Sequence, residues 1–269
     1  MGEEKRKRTA TQKLIEEFPN CCECGGLRPS TTREHMPPKA LFDNSHRPDG
    51  LVMPACDLCN DGTRTADLVA SVISRWGYGR QVNDDHSHLI ARVRKQAPEV
   101  MKEWQADINP TEARLHLERH GVPVPVDAAF TTIGPQTIRQ LNLFAHKVVL
   151  CLHFEHFKEP LSNDGRVAAF WRTKEDFAKE GVPQLLLDMM REYGTLEQGK
   201  WNVKEAFEYR YTVNKRDGLF ACLARFRDNL FVTGFTVSDA AKAAEVNADW
   251  LKPCDLLDAV NSEAFAHKR

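Results

Sequence analysis

The chain has neither the long apolar runs of a membrane protein nor the charge excess of a dedicated polyanion binder. No apolar stretch approaches the ~20 residues that a helix needs to cross a bilayer. Its 269 residues include 37 basic and 38 acidic ones, so no overall field favours a partner of one sign. Internal repeats and low-complexity segments are also lacking. We therefore expect a soluble protein with no membrane partner, in which a local basic cleft remains possible.

The eight cysteines are spaced for metal binding rather than for disulfides. Four of them form two C-x-x-C pairs, while Cys151, Cys222 and Cys254 stand alone in apolar or helical stretches. No signal peptide is recognisable at the start of the sequence, which favours a reducing compartment. We expect a cytoplasmic setting.

The two C-x-x-C pairs predict a structural zinc site. Cys21 and Cys24 form the first pair, and Cys56 and Cys59 form the second. Four thiolates brought together match the tetrahedral sulfur site that zinc prefers, and such a closed site has no open position for chemistry. Cys22 could replace Cys21 or Cys24, although a spacing of three favours the outer two. A small domain would need a staple of this kind.

Hydrophobic periodicity and chain breakers predict an α+β fold in three parts. The predicted helices are residues 11–18, from Asn60 or Asp61 to about 75, pieces of 84–120 interrupted at Pro98 and Pro110, and 135–157. The predicted strands are 51–53, 206–213, 218–227 and 230–237, and the last three form an antiparallel meander. We assign a zinc-stapled domain to residues 1–80, a helical connector to 81–126 and an α+β domain to 127–269. The last domain has no assigned role and could form a homodimer or bind a partner protein.

The residues between the cysteine pairs suggest hydrolytic chemistry. Glu34 and His35 lie between the pairs, and Asn60 directly follows Cys59. If the pairs share one zinc, Asn60 would lie within a few ångströms of the strand that carries Glu34. A carboxylate and an amide oxygen suit Mg²⁺ or a similar ion, and the imidazole could take a proton from water. Together they predict metal-assisted attack on a phosphate.

At this point the sequence resembles a known family. The order C-x-x-C, acidic residue, His and Pro, then C-x-x-C-N at a helix start, is similar to the ββα-metal (His-Me) finger of HNH endonucleases, over residues 18–76. The resemblance implies that His35 is the general base and that Glu34 and Asn60 bind a catalytic Mg²⁺ or Mn²⁺. A second helical ligand would fall at Arg64, which cannot bind a cation and which we expect to contact phosphate. Lys39 is a second candidate phosphate contact.

The sequence departs from the family pattern at two positions. Glu34 stands where the family usually has Asp, so the carboxylate is one methylene farther from the backbone. The middle Asn of the family name should precede residues 51–53, where this chain has Asp49 and Gly50. In the family that residue holds the loop that carries the base. Asp49 or Asn44 could replace it, and the sequence does not choose between them.

We therefore predict a metal-dependent endonuclease that hydrolyses phosphodiester bonds. DNA is the favoured substrate, and RNA stays open. The main alternative is a non-catalytic zinc module that binds nucleic acid or protein. A thiol redox protein that uses C-x-x-C is the weakest alternative, because the pairs lack a βαβ context. Stand-alone HNH proteins with an added domain resemble prokaryotic and phage defence enzymes, which suggests a role in antiviral defence.

Overall fold

A computed structural model gives the fold for most of the chain. It describes residues 2–43, 46–76, 84–106, 108–119, 121, 124, 130–181, 188, 190–198, 201–244, 248–259, 262–263 and 265. The fold is α+β with antiparallel sheets, as predicted. The described helices do not include one that is both long and apolar enough to cross a bilayer.

The first part of the chain contains a two-stranded sheet followed by a helix. Its elements are α1 (Gly2–Glu17), β1 (Thr32–His35), β2 (Val52–Ala55) and α2 (Asp57–Ile73), with a 3-10 turn at Lys39–Leu41. Strands β1 and β2 are antiparallel, and His35 lies opposite Val52 at the end of the ladder. The loop that joins these strands, residues 36–51, is called here the 36–51 loop.

Helix α2 begins about one turn earlier than the sequence predicts. Its N-cap is Cys56, whose Sγ accepts a hydrogen bond from the backbone N–H of Cys59 at 3.5 Å. The prediction of a cap at Asn60 or Asp61 was wrong, because the sulfur of Cys56 accepts the hydrogen bond that a side-chain oxygen usually accepts at a helix start. Asn60 consequently lies inside the first turn rather than before it.

Four helices follow, and prolines mark the start of three of them. They are α3 (Asp84–Gln96), α4 (Pro98–Trp104), α5 (Pro110–Arg119) and α6 (Pro135–Phe157). The predicted breaks at Pro98 and Pro110 are confirmed, as are both ends of the predicted helix 135–157. Proline fits a first turn because the N–H that it lacks has no partner within the helix. Glu103 of α4 caps α6 by accepting hydrogen bonds from the backbone N–H groups of Gln136 and Thr137 at 2.7 and 2.9 Å.

The last part of the chain forms a five-stranded antiparallel sheet. Its strands are β3 (Arg166–Thr173), β4 (Glu192–Thr195), β7 (Phe207–Asn214), β8 (Leu219–Phe226) and β9 (Leu230–Val237), in the order β3-β9-β8-β7-β4. A separate pair is formed by β5 (Glu197–Gln198) and β6 (Trp201–Asn202), and the short helices are α7 (Lys174–Glu180), α8 (Ala240–Ala243) and α9 (Leu256–Ala259). The predicted meander is confirmed as β7, β8 and β9, with each end within one residue.

Helix α6 lies between the sheet and α2, and one hydrophobic core joins all three. The ring of Phe144 on α6 contacts Phe226 on β8 edge to face, with centroids 5.0 Å apart. A methyl group added at Gly234 on β9 would lie 2.1 Å from Val149 of α6, so the glycine permits this close packing. The predicted domain boundaries near residues 80 and 126 lie outside the described residues.

Candidate functional site

The four cysteines of the two C-x-x-C pairs form one buried group. The Sγ atoms of Cys21, Cys24, Cys56 and Cys59 all lie within 4.8 Å of one another. We call this group the cysteine cluster. A tetrahedral zinc with Zn–S distances of ~2.3 Å needs sulfurs about 3.8 Å apart, so the donor set and its spacing fit zinc. Cys22 is not part of the cluster; its thiol makes a hydrogen bond with the thiol of Cys151.

The thiols of the cysteine cluster share protons among themselves. Hydrogen bonds from Cys21 and Cys59 lower the pKa of Cys24 to about 2. The same contacts raise the pKa of Cys21 and of Cys59 above the ordinary thiol value. A zinc ion bound here would take all four sulfurs as thiolates and displace their protons.

The cysteine cluster joins two segments of backbone. The first pair lies in the turn before β1, and the second pair lies at the start of α2. The turn is closed by a hydrogen bond from Gly26 N–H to the Cys21 carbonyl at 2.9 Å. Gly25 has a φ of +63°, and a Cβ there would lie 2.7 Å from the Leu161 carbonyl oxygen. The glycine therefore meets both a backbone and a packing requirement.

Glu34 points into the protein and forms an ion pair with a buried lysine. Its Oε1 lies 3.2 Å from Nζ of Lys147 on α6, and the same ammonium donates to Oδ2 of Asp67 on α2 at 2.7 Å. We call these three residues the acid–lysine cluster. Burial alone would lower the pKa of Lys147, but the carboxylates of Asp67 and Glu34 outweigh it and raise the pKa well above its ordinary value. Lys147 is therefore positively charged.

A third acid, Glu23, lies next to this ion pair. Its side chain is 1% exposed, and neither of its carboxylate oxygens has a hydrogen-bond partner in the described part of the chain. Burial raises its pKa to about 8, with Glu34 and Asp67 adding to the rise and Lys147 opposing it. Glu23 is therefore mainly protonated at neutral pH. The sequence analysis missed it because it appears there only as a spacer in the first C-x-x-C pair.

His35 is a half-buried histidine at the end of β1. Its Nδ1 is buried and has no hydrogen-bond partner within the described ranges. Burial, followed by the positive charges of Arg47, Lys39 and Arg33, lowers the pKa of His35 to about 3. The imidazole is therefore neutral at physiological pH. Because Nδ1 is buried, Nε2 is the nitrogen through which the ring can take a proton from water.

Arg47 holds the 36–51 loop, a role for which the sequence analysis proposed Asp49 or Asn44. Its guanidinium donates to five backbone carbonyls: Met36, Pro37, Pro48 and Gly50 at 2.8 Å and Leu51 at 3.3 Å. The first two directly follow His35, and the last two precede β2. Asp49 is exposed, and Asn44 lies outside the described residues. Among the described residues, the guanidinium of Arg47 holds this loop, and the prediction for Asn44 stays untested.

Two further arginines tie the same loop to the rest of the fold. Oδ1 of Asp43 accepts hydrogen bonds from Arg75, just after α2, and from Arg227, in the turn between β8 and β9, at 3.2 and 2.8 Å. Arg227 also donates to the Leu41 carbonyl at 2.8 Å. The backbone that follows His35 is therefore fixed both to α2 and to the five-stranded sheet.

The remaining predicted site residues lie on α2 and on the 36–51 loop. Asn60 is half-buried, and its Nδ2 lies 3.5 Å from Oγ1 of Thr32, two residues before Glu34 on β1. Arg64 is exposed and paired with Asp61 on its own helix. Lys39 is exposed and contributes to the positive charge around His35. Asn60 thus lies against β1, and the charge of Lys39 acts on His35. Arg64 stays on the surface of α2.

The observed donors do not fit the predicted catalytic ion. Oε1 of Glu34 already faces the Lys147 ammonium. Among the described residues, the cysteine cluster is the one group that gathers three or more His, Cys, Asp or Glu ligand atoms. A hard divalent ion needs several converging oxygens, which these donors do not provide. The roles of Glu34 and Asn60 as its ligands stay predictions.

The candidate site has three parts. Its parts are a sulfur site suited to zinc, a neutral imidazole among three cations, and a buried acid–lysine cluster on the other side of β1. A comparison with family models, with curated proteins and with solved structures finds no match to this chain.

Proposed function

We propose that this chain is an endonuclease in which His35 activates water for attack on a phosphodiester bond and the cysteine cluster holds a structural zinc. The observation that supports the proposal best is the surroundings of His35, a half-buried imidazole beside Arg33, Lys39 and Arg47. Positive charge around a group that can accept a proton is what hydrolysis of an anionic ester requires.

The three cations serve both binding and the reactivity of the base. They attract the phosphate, and in its absence they help to lower the pKa of His35 to about 3. A bound phosphate offsets these charges and raises the pKa of the imidazole, which makes it a stronger base when substrate is present. In the proposed step, Nε2 takes a proton from water as the water oxygen bonds to phosphorus. The bond to the leaving oxygen breaks, its electron pair goes to that oxygen, and the oxygen takes up a proton from solvent.

The proposed zinc contributes structure, not chemistry. Bound by four sulfurs, it would fix the start of α2 to the turn before β1. Arg64 and Lys39 are the proposed phosphate contacts, both exposed and both close in sequence to this region. We also retain as predictions a preference for DNA, a cytoplasmic setting, a role in antiviral defence, and a homodimer or partner protein at residues 127–269.

Cleavage assays with matched histidine variants test the proposal. Supercoiled plasmid and labelled single- and double-stranded RNA are incubated with the zinc-loaded parent, with His35→Ala and with His46→Ala, each with and without added Mg²⁺ or Mn²⁺. His46 is an exposed histidine of the same loop and is the control. We expect cleavage by the parent and by His46→Ala, and a loss of about 10²-fold or more in His35→Ala. Equal cleavage by all three proteins would contradict the proposal.

A non-catalytic nucleic-acid-binding module is the second candidate. The ion pair between Glu34 and Lys147 favours it, because that carboxylate is already committed to an internal partner. The cations around His35 would then serve binding alone. Fluorescence anisotropy with labelled DNA and RNA separates the two candidates: a parent protein that binds but cleaves under none of the metal conditions is the module.

A further inference from the structure

A cavity of about 370 Å³ lies at the edge of the five-stranded sheet, beside α6 and β3. It is lined by Asn142 and His146 on the helix, by Phe170 on the strand, and by Trp250 and Phe265 from the end of the chain. We call this cavity the aromatic pocket. Its described lining includes none of the residues assigned to the candidate endonuclease site. Its volume falls in the range of small-molecule sites, ~300–1,000 Å³.

Hydrogen bonds hold the walls of the aromatic pocket in place. Oδ1 of Asn142 accepts from the indole N–H of Trp171 at 2.9 Å, and its Nδ2 donates to the Phe265 carbonyl at 2.6 Å. One buried amide therefore joins α6, β3 and the end of the chain. Leu251 and Val167 exchange two backbone hydrogen bonds of 2.9 Å, which fix the segment with Trp250 to β3. A ligand would thus find a pocket that is already formed.

The edge of β3 offers backbone groups to this pocket. Strand β3 is the first strand of the sheet, with β9 on one side. Val167 directs its N–H and C=O away from β9, to Leu251. Because these directions alternate along an antiparallel strand, Ala169 directs its own N–H and C=O to the same outer side. Ala169 also lines the pocket, so a hydroxyl or amide of a ligand can pair with these groups.

The charge and the rings of the lining favour a cation. Phe170, Trp250 and Phe265 supply three aromatic rings, and the exposed Asp249 supplies a carboxylate. Lysine and arginine are lacking from the described part of the lining. Aromatic faces attract organic cations, tryptophan most strongly, and a carboxylate adds to the attraction. An anionic ligand would meet the opposite of what it needs.

We propose that the aromatic pocket binds a small, free organic cation, an alkylammonium that carries a hydrogen-bonding group. The cation lies against the rings of Trp250 and Phe170 near the Asp249 carboxylate, and the hydrogen-bonding group pairs with the backbone of Ala169. This binding site is separate from the proposed endonuclease chemistry and does not depend on it.

Choline is the probe that tests the inference. Isothermal titration calorimetry with the zinc-loaded protein measures the Kd of choline and of dimethylbutanol, its neutral analogue in which carbon replaces the charged nitrogen. We expect choline to bind about tenfold or more tightly than the neutral analogue. Trp250→Ala and Asp249→Asn should each weaken choline binding by about fivefold or more, whereas Trp250→Phe, which keeps a ring, should weaken it less. Asp228→Asn, in the turn between β8 and β9, removes a surface acid outside the pocket and should bind choline like the parent.

Several results would overturn the inference. They are equal affinity for choline and its neutral analogue, no choline binding by the parent at tens of millimolar, and parent-like choline binding by both Trp250→Ala and Asp249→Asn. A peptide with trimethyllysine that binds where choline does not would also contradict it, because the ligand would then be a protein. If Trp250→Ala loses its folded circular dichroism spectrum, the exposed Asp249→Asn change decides the question. Since none of these readouts involves cleavage, they are independent of the fate of the endonuclease proposal.

Discussion

Removal of the Lys147 charge should be among the most damaging single changes in this protein. The ammonium has no exposure to solvent and holds two carboxylates, so Lys147→Met leaves Glu34 and Asp67 buried without a counter-charge. Breaking a buried ion pair in this way costs about 4 kcal/mol of unfolding free energy. For a chain of this length that corresponds to a fall in Tm of about 8 °C. Glu34→Gln, which leaves Lys147 paired with Asp67, should cost only about 2 kcal/mol.

The assay is urea denaturation of the zinc-loaded proteins at pH 7, arranged as a double-mutant cycle. Glu34→Gln/Lys147→Met should cost less than the sum of the single changes by more than about 1 kcal/mol, because the two residues interact directly. Arg64→Ala, which breaks an exposed pair with Asp61, is the control and should cost under about 1 kcal/mol. If Lys147→Met costs as little as this control, or if the effects are additive, the reasoning about a buried cation is refuted.

Three further predictions concern the metal, the loop and acid stability. Cys56→Ser should release zinc and lower the Tm, whereas Cys254→Ser, which lies outside the cysteine cluster, should do neither. An unchanged Tm in Cys56→Ser would contradict a structural zinc. Arg47→Gln should speed hydrogen exchange at the Met36 amide, because the hydrogen bonds that hold the 36–51 loop are lost. It should also raise the pKa of His35 in NMR titrations, because one nearby cation is lost. An exchange rate equal to that of the parent would contradict the role given to Arg47. Burial, with His156 adding to it, lowers the pKa of His153 from 6.5 to about 4, so the unfolded chain takes up the proton first as pH falls. The free energy of unfolding should therefore fall by about 3 kcal/mol as the pH is lowered from 6.5 to about 4. A fall of equal size in His153→Gln would show that His153 is not its cause.

Much of the fold follows from local sequence patterns. Helix α6 and the meander were predicted because helical spacing and turn residues act over short stretches of chain. Strand β3 was missed, since most of its residues are buried and alternate only in its second half, and its partner β9 lies far along the chain. The start of α2 was misplaced for a chemical reason, the use of the Cys56 sulfur as a cap.

The candidate site could be predicted only in part. The cysteine cluster was predicted because C-x-x-C spacing is a local signal with a direct geometric meaning. The partner of Glu34 was not, because Lys147 comes from a helix more than one hundred residues away, and no local pattern links the two. Arg47 was missed for a related reason: five carbonyls become its acceptors only once both ends of the loop have folded together.

The rate of phosphodiester cleavage by His35→Ala tests the central claim most directly. Parent, His35→Ala and His46→Ala would be compared in single-turnover reactions, at equal zinc content and equal nucleic-acid binding. The endonuclease proposal predicts that the His35→Ala rate falls by about 10²-fold or more while His46→Ala keeps the parent rate. A His35→Ala protein that binds zinc and nucleic acid normally and cleaves at the parent rate would contradict it.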